Sequence, residues 1–372
     1  MTKYRVIVWG TGMIGSNALR YISSNSRMEL VGVKCYADKK EGVDAARLGS
    51  VSTGETGVKA TRNSDTLLRL PADCVIFAPF DPLTDPTIPG SPSSAWVPDL
   101  LAILRSGKNV IATILSISHW RHLAHGEAFR DSVNSACREG KSTLFVTGLD
   151  PGFASDAIAF GLSSIVGEIT QINTWEILDY GSYPGIPALK ALGFGARPQD
   201  LSGAGLDTIR VAWGGCPHVL ADAFGVTLDG IRVEAEVSLA KETFAAVCGL
   251  VVNEGTIEAL KFKVIGTVSG RDCFIVNHIT RVGQAAAPHW RKIGQDGGYG
   301  IEIDGFPPFK GEFPFGWPGG TGASWSDAMA MTAARCVNSI EPVVQASPGY
   351  KTFMDLAPLG GRYALRVTGG IE

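Results

Sequence analysis

The stretch Tyr4-Arg5-Val6-Ile7-Val8-Trp9-Gly10-Thr11-Gly12-Met13-Ile14-Gly15 decides how the N-terminal half of this chain is read. An apolar run of strand length passes directly into a GxGxxG turn, and Ser16 to Ile22 continues with helical spacing. In that context each glycine serves a distinct purpose, Gly10 for the tight turn, Gly12 for close approach of the backbone to a pyrophosphate, and Gly15 for close packing of helix on strand. The free N–H groups at the start of the helix, with its dipole, then favour phosphate. Gly10, Thr11, Gly12, Met13, Ile14 and Gly15 are therefore expected to hold a dinucleotide.

Outward from this motif, strands and helices alternate. Glu29 to Tyr36 reads as the second strand, Asp65 to Leu70 as a short helix and Cys74 to Ala78 as a strand buried on both faces. Leu100 to Leu104 is helical, Asn109 to Thr113 a strand, His122 to Glu139 mostly helix and Thr143 to Val146 a strand. Such pairs build a doubly wound parallel sheet of Rossmann type, an α/β fold closing near residue 147. Pro79 to Pro98 is too rich in proline for a regular element and lies at the C-terminal end of a strand, where ligands of open α/β sheets bind. It reads equally as a lid and as a solvated insertion. Ala78, Pro79 and Thr113 are expected near the nicotinamide half.

Cofactor choice falls at the end of the second strand. A carboxylate there would bind a ribose 2′-OH, and basic residues a 2′-phosphate. Asp38 comes late and is followed by Lys39 and Lys40, which tips the balance towards NADP with NAD still open.

Past residue 147 the pattern changes. Gly148-Leu149-Asp150-Pro151-Gly152-Phe153 reads as a turn, with a helix over Asp156 to Ile165. Long strands follow at Ile172–Asp179, Ile231–Val237, Ile257–Val268 and Cys273–Ile279. Apolar Ile231, Val233, Ala235 and Val237 alternate with Arg232, Glu234 and Glu236, the pattern of a sheet with one wet face. A second α+β domain of mainly antiparallel sheet is expected over 148–330. A C-terminal segment, 331–372, has a helix over Asp327 to Ile340 that stops at Glu341-Pro342 and packs back on the first domain.

The chain has 372 residues, 45% of them hydrophobic, with a net charge of −3, so no broad basic surface invites nucleic acid or anionic membrane. The first strand leaves no room for a signal peptide and no run reaches transmembrane length, so a cytoplasmic protein is expected. Cys35, Cys74, Cys137, Cys216, Cys248, Cys273 and Cys336 are scattered and form no CxxC pair, as reduced core residues would be.

Hydride transfer needs placement of a carbon against the nicotinamide and one group to stabilise the developing charge. Candidates are Ser116 and His119 after the fifth strand, Asp150 in its turn, and Tyr180 or Tyr183 at the end of a domain-two strand. Against these stand plainer roles: His119 packed beside Trp120, and Asp150 bonded to its own turn backbone. His119, His122 and His125 are spaced by three and would diverge around a helix, so no metal site is expected. Tyr180, Tyr183, Phe194, Trp213, Trp290, Phe306, Phe309, Phe313, Phe315 and Trp317 fall in loops rich in Gly and Pro, and suit either a greasy substrate pocket or a dimer interface. No Arg/Lys cluster accompanies them, which disfavours a dicarboxylate substrate.

Val8 to Gly15, Gly148 to Phe153, Gly193-Phe194-Gly195, and Ala333 to Ile340 followed by Ala346-Ser347-Pro348-Gly349-Tyr350 and Asp355-Leu356 occur in one order along nearly the whole chain. In this the chain resembles the dihydrodipicolinate-reductase-like superfamily, within it the 2,4-diaminopentanoate dehydrogenase and native amine dehydrogenase branch. The resemblance implies a Rossmann domain, an α+β domain closing over the nicotinamide, a homodimer built through that second domain, and hydride transfer to a C=N or C=O carbon. It also implies, in the amine-forming members, a glutamate just after the strand that here reads Asn109 to Thr113. This chain has Ile114-Leu115-Ser116-Ile117-Ser118-His119 there, with no carboxylate. The expectation is an NAD(P)-dependent oxidoreductase acting on a carbonyl or imine carbon of a small, fairly hydrophobic substrate. Alternatives are an amine dehydrogenase without the usual glutamate, and a dinucleotide-binding redox sensor without turnover.

Overall fold

A computed structural model of the chain describes residues 3–51, 54–81, 95–201, 204–283, 285–295, 297–316, 324–361 and 364. Most of the proline-rich segment after Pro79, and Trp317, lie outside the described residues.

The first sheet comprises β1 (Tyr4–Trp9), β2 (Met28–Lys34), β3 (Ala60–Thr61), β4 (Cys74–Phe77), β5 (Asn109–Ala112) and β6 (Thr143–Val146). The β1 side chains alternate as a strand covered on both faces requires. Ile7 and Trp9 enter one core with the helices Val97–Arg105 and Gly126–Gly140. Val6 and Val8 enter the opposite core with Ala18, Leu19 and Ile22 of the helix Met13–Ser23.

Between residues 147 and 348 the chain builds a second sheet from β7 (Glu168–Asp179), β8 (Gly230–Leu239), β11 (Ile257–Val268), β12 (Arg271–Arg281), β13 (Gly297–Phe306) and β14 (Phe309–Pro314). A small ladder joins β9 (Phe244–Ala245) to β10 (Val251–Val252). The strand order is β14-β13-β7-β12-β11-β8, antiparallel throughout except where β7 meets β12. Sequence reading missed the β13–β14 hairpin, because its glycines and aromatics resemble loop composition. Phe306, Phe309 and Phe313 are strand residues, while Phe194 and Trp213 belong to a buried core under this sheet.

The chain then returns. The helix Ser324–Asn338 lays Ala333, Cys336 and Val337 against the core beneath Met13–Ser23. A break at Ser339 separates it from a second short helix, Ile340–Gln345, so Pro342 lies inside a helix rather than ending one. Strand β15 (Gly349–Lys351) pairs parallel to β6, and the completed sheet reads β15-β6-β5-β4-β1-β2-β3. Among the described residues, no helix is long and apolar enough to cross a membrane. All seven cysteines are free, and burial pushes the thiols of Cys74, Cys216 and Cys336 up.

Candidate active site

A cavity of about 520 Å³ opens along the C-terminal ends of the first sheet and runs under the second. The glycine turn forms one end of it. The carbonyl of Ala78 would lie 2.3 Å from a Cβ on Gly10, whose φ is +115°. A Cβ on Gly15 would sit 1.9 Å from the carbonyl of Gly10. A Cβ on Gly12, in contrast, would meet nothing within 4 Å. Gly12 caps the helix Met13–Ser23 with no side-chain hydrogen bond, leaving the first N–H groups for a ligand. This cradle fits a dinucleotide pyrophosphate, and Thr11, Met13, Ile14, Ala78, Pro79 and Thr113 line it as well.

At the expected ribose end the structure departs from the sequence reading. Asp38 and Lys39 are absent from the cavity lining, and Tyr36, Ala37 and Lys40 take their place. Asp38 is turned to solvent and paired with Arg62. Lys40 bends inward and donates to the carbonyl of Thr11. The short helix Asp38–Lys40 brings its third residue, rather than its first two, towards the site.

Ser116 and His119 are also displaced from the expected position. Ser116 is fully buried and donates to Asp81 at 2.7 Å, and it is Asp81 that reaches the cavity wall. Burial pushes the Asp81 carboxyl up against the opposing hydrogen bonds from Ser116 and Trp96. His119 lies in a separate polar recess, 3.0 Å from Asp222 and stacked between Trp120 and His218. His122 bonds the carbonyl of Val211 and burial lowers it to about 3, while His125 is exposed, so the three histidines do not converge.

The far end of the cavity is formed by a row of side chains running across four strands. Register pairs Phe262 of β11 with His278 of β12, His278 with Glu176 of β7, and Glu176 with Tyr299 of β13. Side chains directly opposite in adjacent strands share a face, so all four point to one side of the sheet. The Tyr299 hydroxyl donates to Glu176 at 2.6 Å. Tyr180, four residues beyond Glu176 and therefore on the same face, donates to its other oxygen at 3.2 Å. Burial, with the Glu176 charge, pushes both phenols well up and holds them neutral.

Asp150 arrives from the loop after β6 and meets His278 from the opposite side. Its carboxylate lies 3.0 Å from Nε2 of His278, and the Glu176 carboxylate lies 3.3 Å from Nδ1. These contacts lack the alignment of hydrogen bonds, so charge is what couples them. Asp150 thus directs its carboxylate at an imidazole of the other sheet rather than at its own turn. Burial alone would lower His278, but the charges of Asp150 and Glu176 override it and raise it to about 9. The ring stacks flat on Phe262, with centroids 4.5 Å apart, and packs against Trp213.

Asp150, Glu176 and His278 lie close enough together to suggest a metal site. The two carboxylates, however, address opposite nitrogens of one ring, and an imidazole offers an ion only one of them. The arrangement suits an imidazolium between two carboxylates. Asp150, Glu176, Tyr180, Tyr183, Trp213 and Tyr299 line the cavity, whereas His278 stands behind them. Sequence reading named Asp150 and Tyr180 but passed over Glu176 and His278. Their one signal was a polar residue inside an apolar strand, as in Trp175-Glu176-Ile177 and Asn277-His278-Ile279.

A family model, the 2,4-diaminopentanoate dehydrogenase C-terminal domain, matches residues 153–361. The chain belongs to that family. An amine dehydrogenase of Streptomyces virginiae is 30% identical over 362 residues, covering 96% of this chain and 97% of its own. Among solved structures, an amine dehydrogenase from Mycobacterium smegmatis superposes with a TM-score of 0.76 at 17% identity, over 97% of this chain and 98% of that one. A biliverdin reductase from Synechocystis sp. PCC 6803, solved with biliverdin and NADP+, shares the fold more loosely, with a TM-score of 0.51 at 14% identity over 91% and 90% of the two chains. Membership of the 2,4-diaminopentanoate dehydrogenase family makes this chain a nicotinamide-dinucleotide-dependent oxidoreductase.

Proposed function

We propose that the protein is an NADP-dependent amine dehydrogenase, joining ammonia to the carbonyl carbon of a small apolar ketone or aldehyde. The observation that carries this is the pair of buried carboxylates on the cavity floor, Asp150 and Glu176, with a single imidazole between them at 3.0 and 3.3 Å: two acids outnumber the one basic ring, which makes the floor negative. Such a floor favours a cationic nitrogen and opposes an alkoxide growing on oxygen. The name borne by the Streptomyces relative supports the same reading.

Bound nicotinamide supplies the hydride, and the balance is ketone, ammonium, one proton and NADPH giving alkylammonium, water and NADP+. Asp150 and Glu176 bind the ammonium ion, and one of the two carboxylates takes its proton so that ammonia adds to the carbonyl carbon; that proton then leaves with the hydroxyl as water, and the pair holds the protonated imine in place. Tyr180 and Tyr299, neutral and bonded to Glu176, fix the direction in which that carboxylate faces. Tyr183, Leu189, Leu192 and Trp213 supply the apolar wall and exclude water. The cavity lining holds no Arg among the described residues, and its two lysines, Lys40 and Lys351, come from separate elements and form no paired clamp for a carboxylate, so 2-oxo acids are poor substrates.

Support for NADP is local. Lys40 and Arg62 bracket the end of β2, and Asp38 is already engaged by Arg62. In the same reading residues 1–147 bind the dinucleotide, 148–330 form the substrate and dimerisation unit, and 331–372 complete the first unit from outside. The protein works as a cytoplasmic homodimer, which its free cysteines suit and a sedimentation experiment tests.

The deciding experiment is NADPH oxidation with aliphatic and aromatic ketones, with and without ammonium. Turnover is expected only with ammonium, and consumption of NADPH by ketone alone overturns the reading. That second outcome would make the protein a carbonyl reductase, which the lack of a carboxylate in Ile114 to His119 favours.

A further inference from the structure

Two carboxylates close together in a dry site repel, and one of them takes up a proton unless a cation stands between them. Asp150 and Glu176 are both buried, Asp150 with a side chain 3% exposed and Glu176 with one 6% exposed. Between them stands one ring. Neutral imidazole has a donor on one nitrogen and a lone pair on the other, whereas imidazolium has donors on both. With an acidic oxygen 3.0 Å from Nε2 and another 3.3 Å from Nδ1, a neutral ring would leave two buried carboxylates facing each other with no counter-charge between them. Rotating the ring gives no relief, because Phe262 lies flat on one face and Trp213 packs against it.

We propose that His278 is a positioning residue held as a permanent imidazolium, a built-in counter-ion that keeps both Asp150 and Glu176 negative and sets the charge of the floor at minus one. This rests on the amine dehydrogenase reading for its purpose, though not for its geometry. His278 does not line the cavity, and therefore acts only through the two carboxylates that do. The other groups packed around this site are Tyr180 and Tyr299 on Glu176, and Cys216 and Asp156 near Asp150. None of these is a second cation. Arg335 donates to the carbonyl of Gly152 and acts on Asp156, and Lys351 lines the same cavity with no ion pair to either carboxylate.

The consequence is a site matched to one charge. A single cationic nitrogen neutralises the floor, and a substrate with two cations or none leaves it unbalanced. Ketones presenting an anion near the carbonyl are rejected for the same reason.

The test reads the ring itself. The full-length protein, labelled at histidine Cε1, gives a signal for each of its six histidines, and loss of one in His278→Gln assigns it. The expected result is a His278 signal in the imidazolium position at neutral pH, titrating only in alkaline solution, with its midpoint lowered by about one unit or more in Asp150→Asn. A neutral ring at neutral pH in the wild-type protein overturns the proposal. In kinetics, His278→Gln should raise KM for ammonium about tenfold and move the acid limb of kcat/KM to higher pH, where both carboxylates ionise without help. Unchanged KM and an unmoved limb would also overturn it. If His278→Gln does not fold, Asp150→Asn and Glu176→Gln still move the ring titration. Should the ring be imidazolium while ketone alone consumes NADPH, this proposal stands and the amine dehydrogenase reading falls.

Discussion

The two ends of the cavity are built on opposite plans. At the dinucleotide end the work is done by backbone: three glycines within six residues, a helix start without a side-chain cap, and carbonyls approaching where a Cβ could not go. At the end proposed for the substrate it is done by side chains, drawn from β7, β12, β13 and a loop of the first sheet, and aligned only because β12 and β13 both meet β7 in register. Backbone sites are specified by local sequence and tolerate change poorly at a few points. Sites aligned by register are specified by the whole sheet and lose function through any one member.

Substitutions at the substrate end should have the largest catalytic effect. Asp150→Asn and Glu176→Gln are each expected to lower kcat about a hundredfold or more while the Kd for NADPH stays unchanged. Loss of cofactor affinity in either variant would erase the distinction between the two ends. The glycines should separate from one another next. Gly10→Ala places a Cβ 2.3 Å from the Ala78 carbonyl at a φ of +115°, and should lower Tm. The cost is expected to be about 1–3 kcal/mol. Gly12→Ala, with open space around it, should leave Tm unchanged and weaken NADPH binding about tenfold, because the added methyl occupies the dinucleotide's path.

A smaller effect comes from pH. His278 is raised in the folded protein, to about 9 from an ordinary 6.5, so the stability it contributes is fully present below 6.5. It is lost as pH rises through the folded value. Thermal melts should therefore fall from neutral to alkaline pH in the wild-type protein, and fall less in His278→Gln. Smallest of all should be Ser116→Ala and His119→Ala, whose side chains bond Asp81 and Asp222 and do not themselves line the main cavity. Their kcat should stay within about threefold of wild type.

The same contrast explains what could be read in advance. β1, the glycine turn and the strand-helix alternation up to β6 are local patterns, and the sequence reading agrees with the fold to within a few residues for the elements it names, though it leaves out the short helix Ala45–Gly49 and β3. Asp150 and Tyr180 were legible as polar residues next to turns. Glu176 and His278 were not, since the pairing of residue 176 with 278 depends on two strands meeting in parallel about 100 residues apart. Ser116 and His119 drew attention because they follow a strand on the cofactor side. Whether such a side chain faces a cavity or a neighbouring carboxylate depends on packing that spacing does not encode.

The hydroxyl of Thr143 on β6 donates to the carbonyl of Ser347, 204 residues further along the chain, just ahead of the strand that closes the first sheet. During synthesis, β6 therefore stays an open edge until residues 349–351 have been made. The helix Ser324–Asn338, which covers the core under Met13–Ser23, is equally late. Between the completion of β6 and the arrival of these residues, a nascent chain carries a half-covered nucleotide fold, exposed to chaperones and to pairing with other edges. A protein cut before residue 324 would inherit that condition permanently, with one core of the first sheet uncovered and β6 left as an edge.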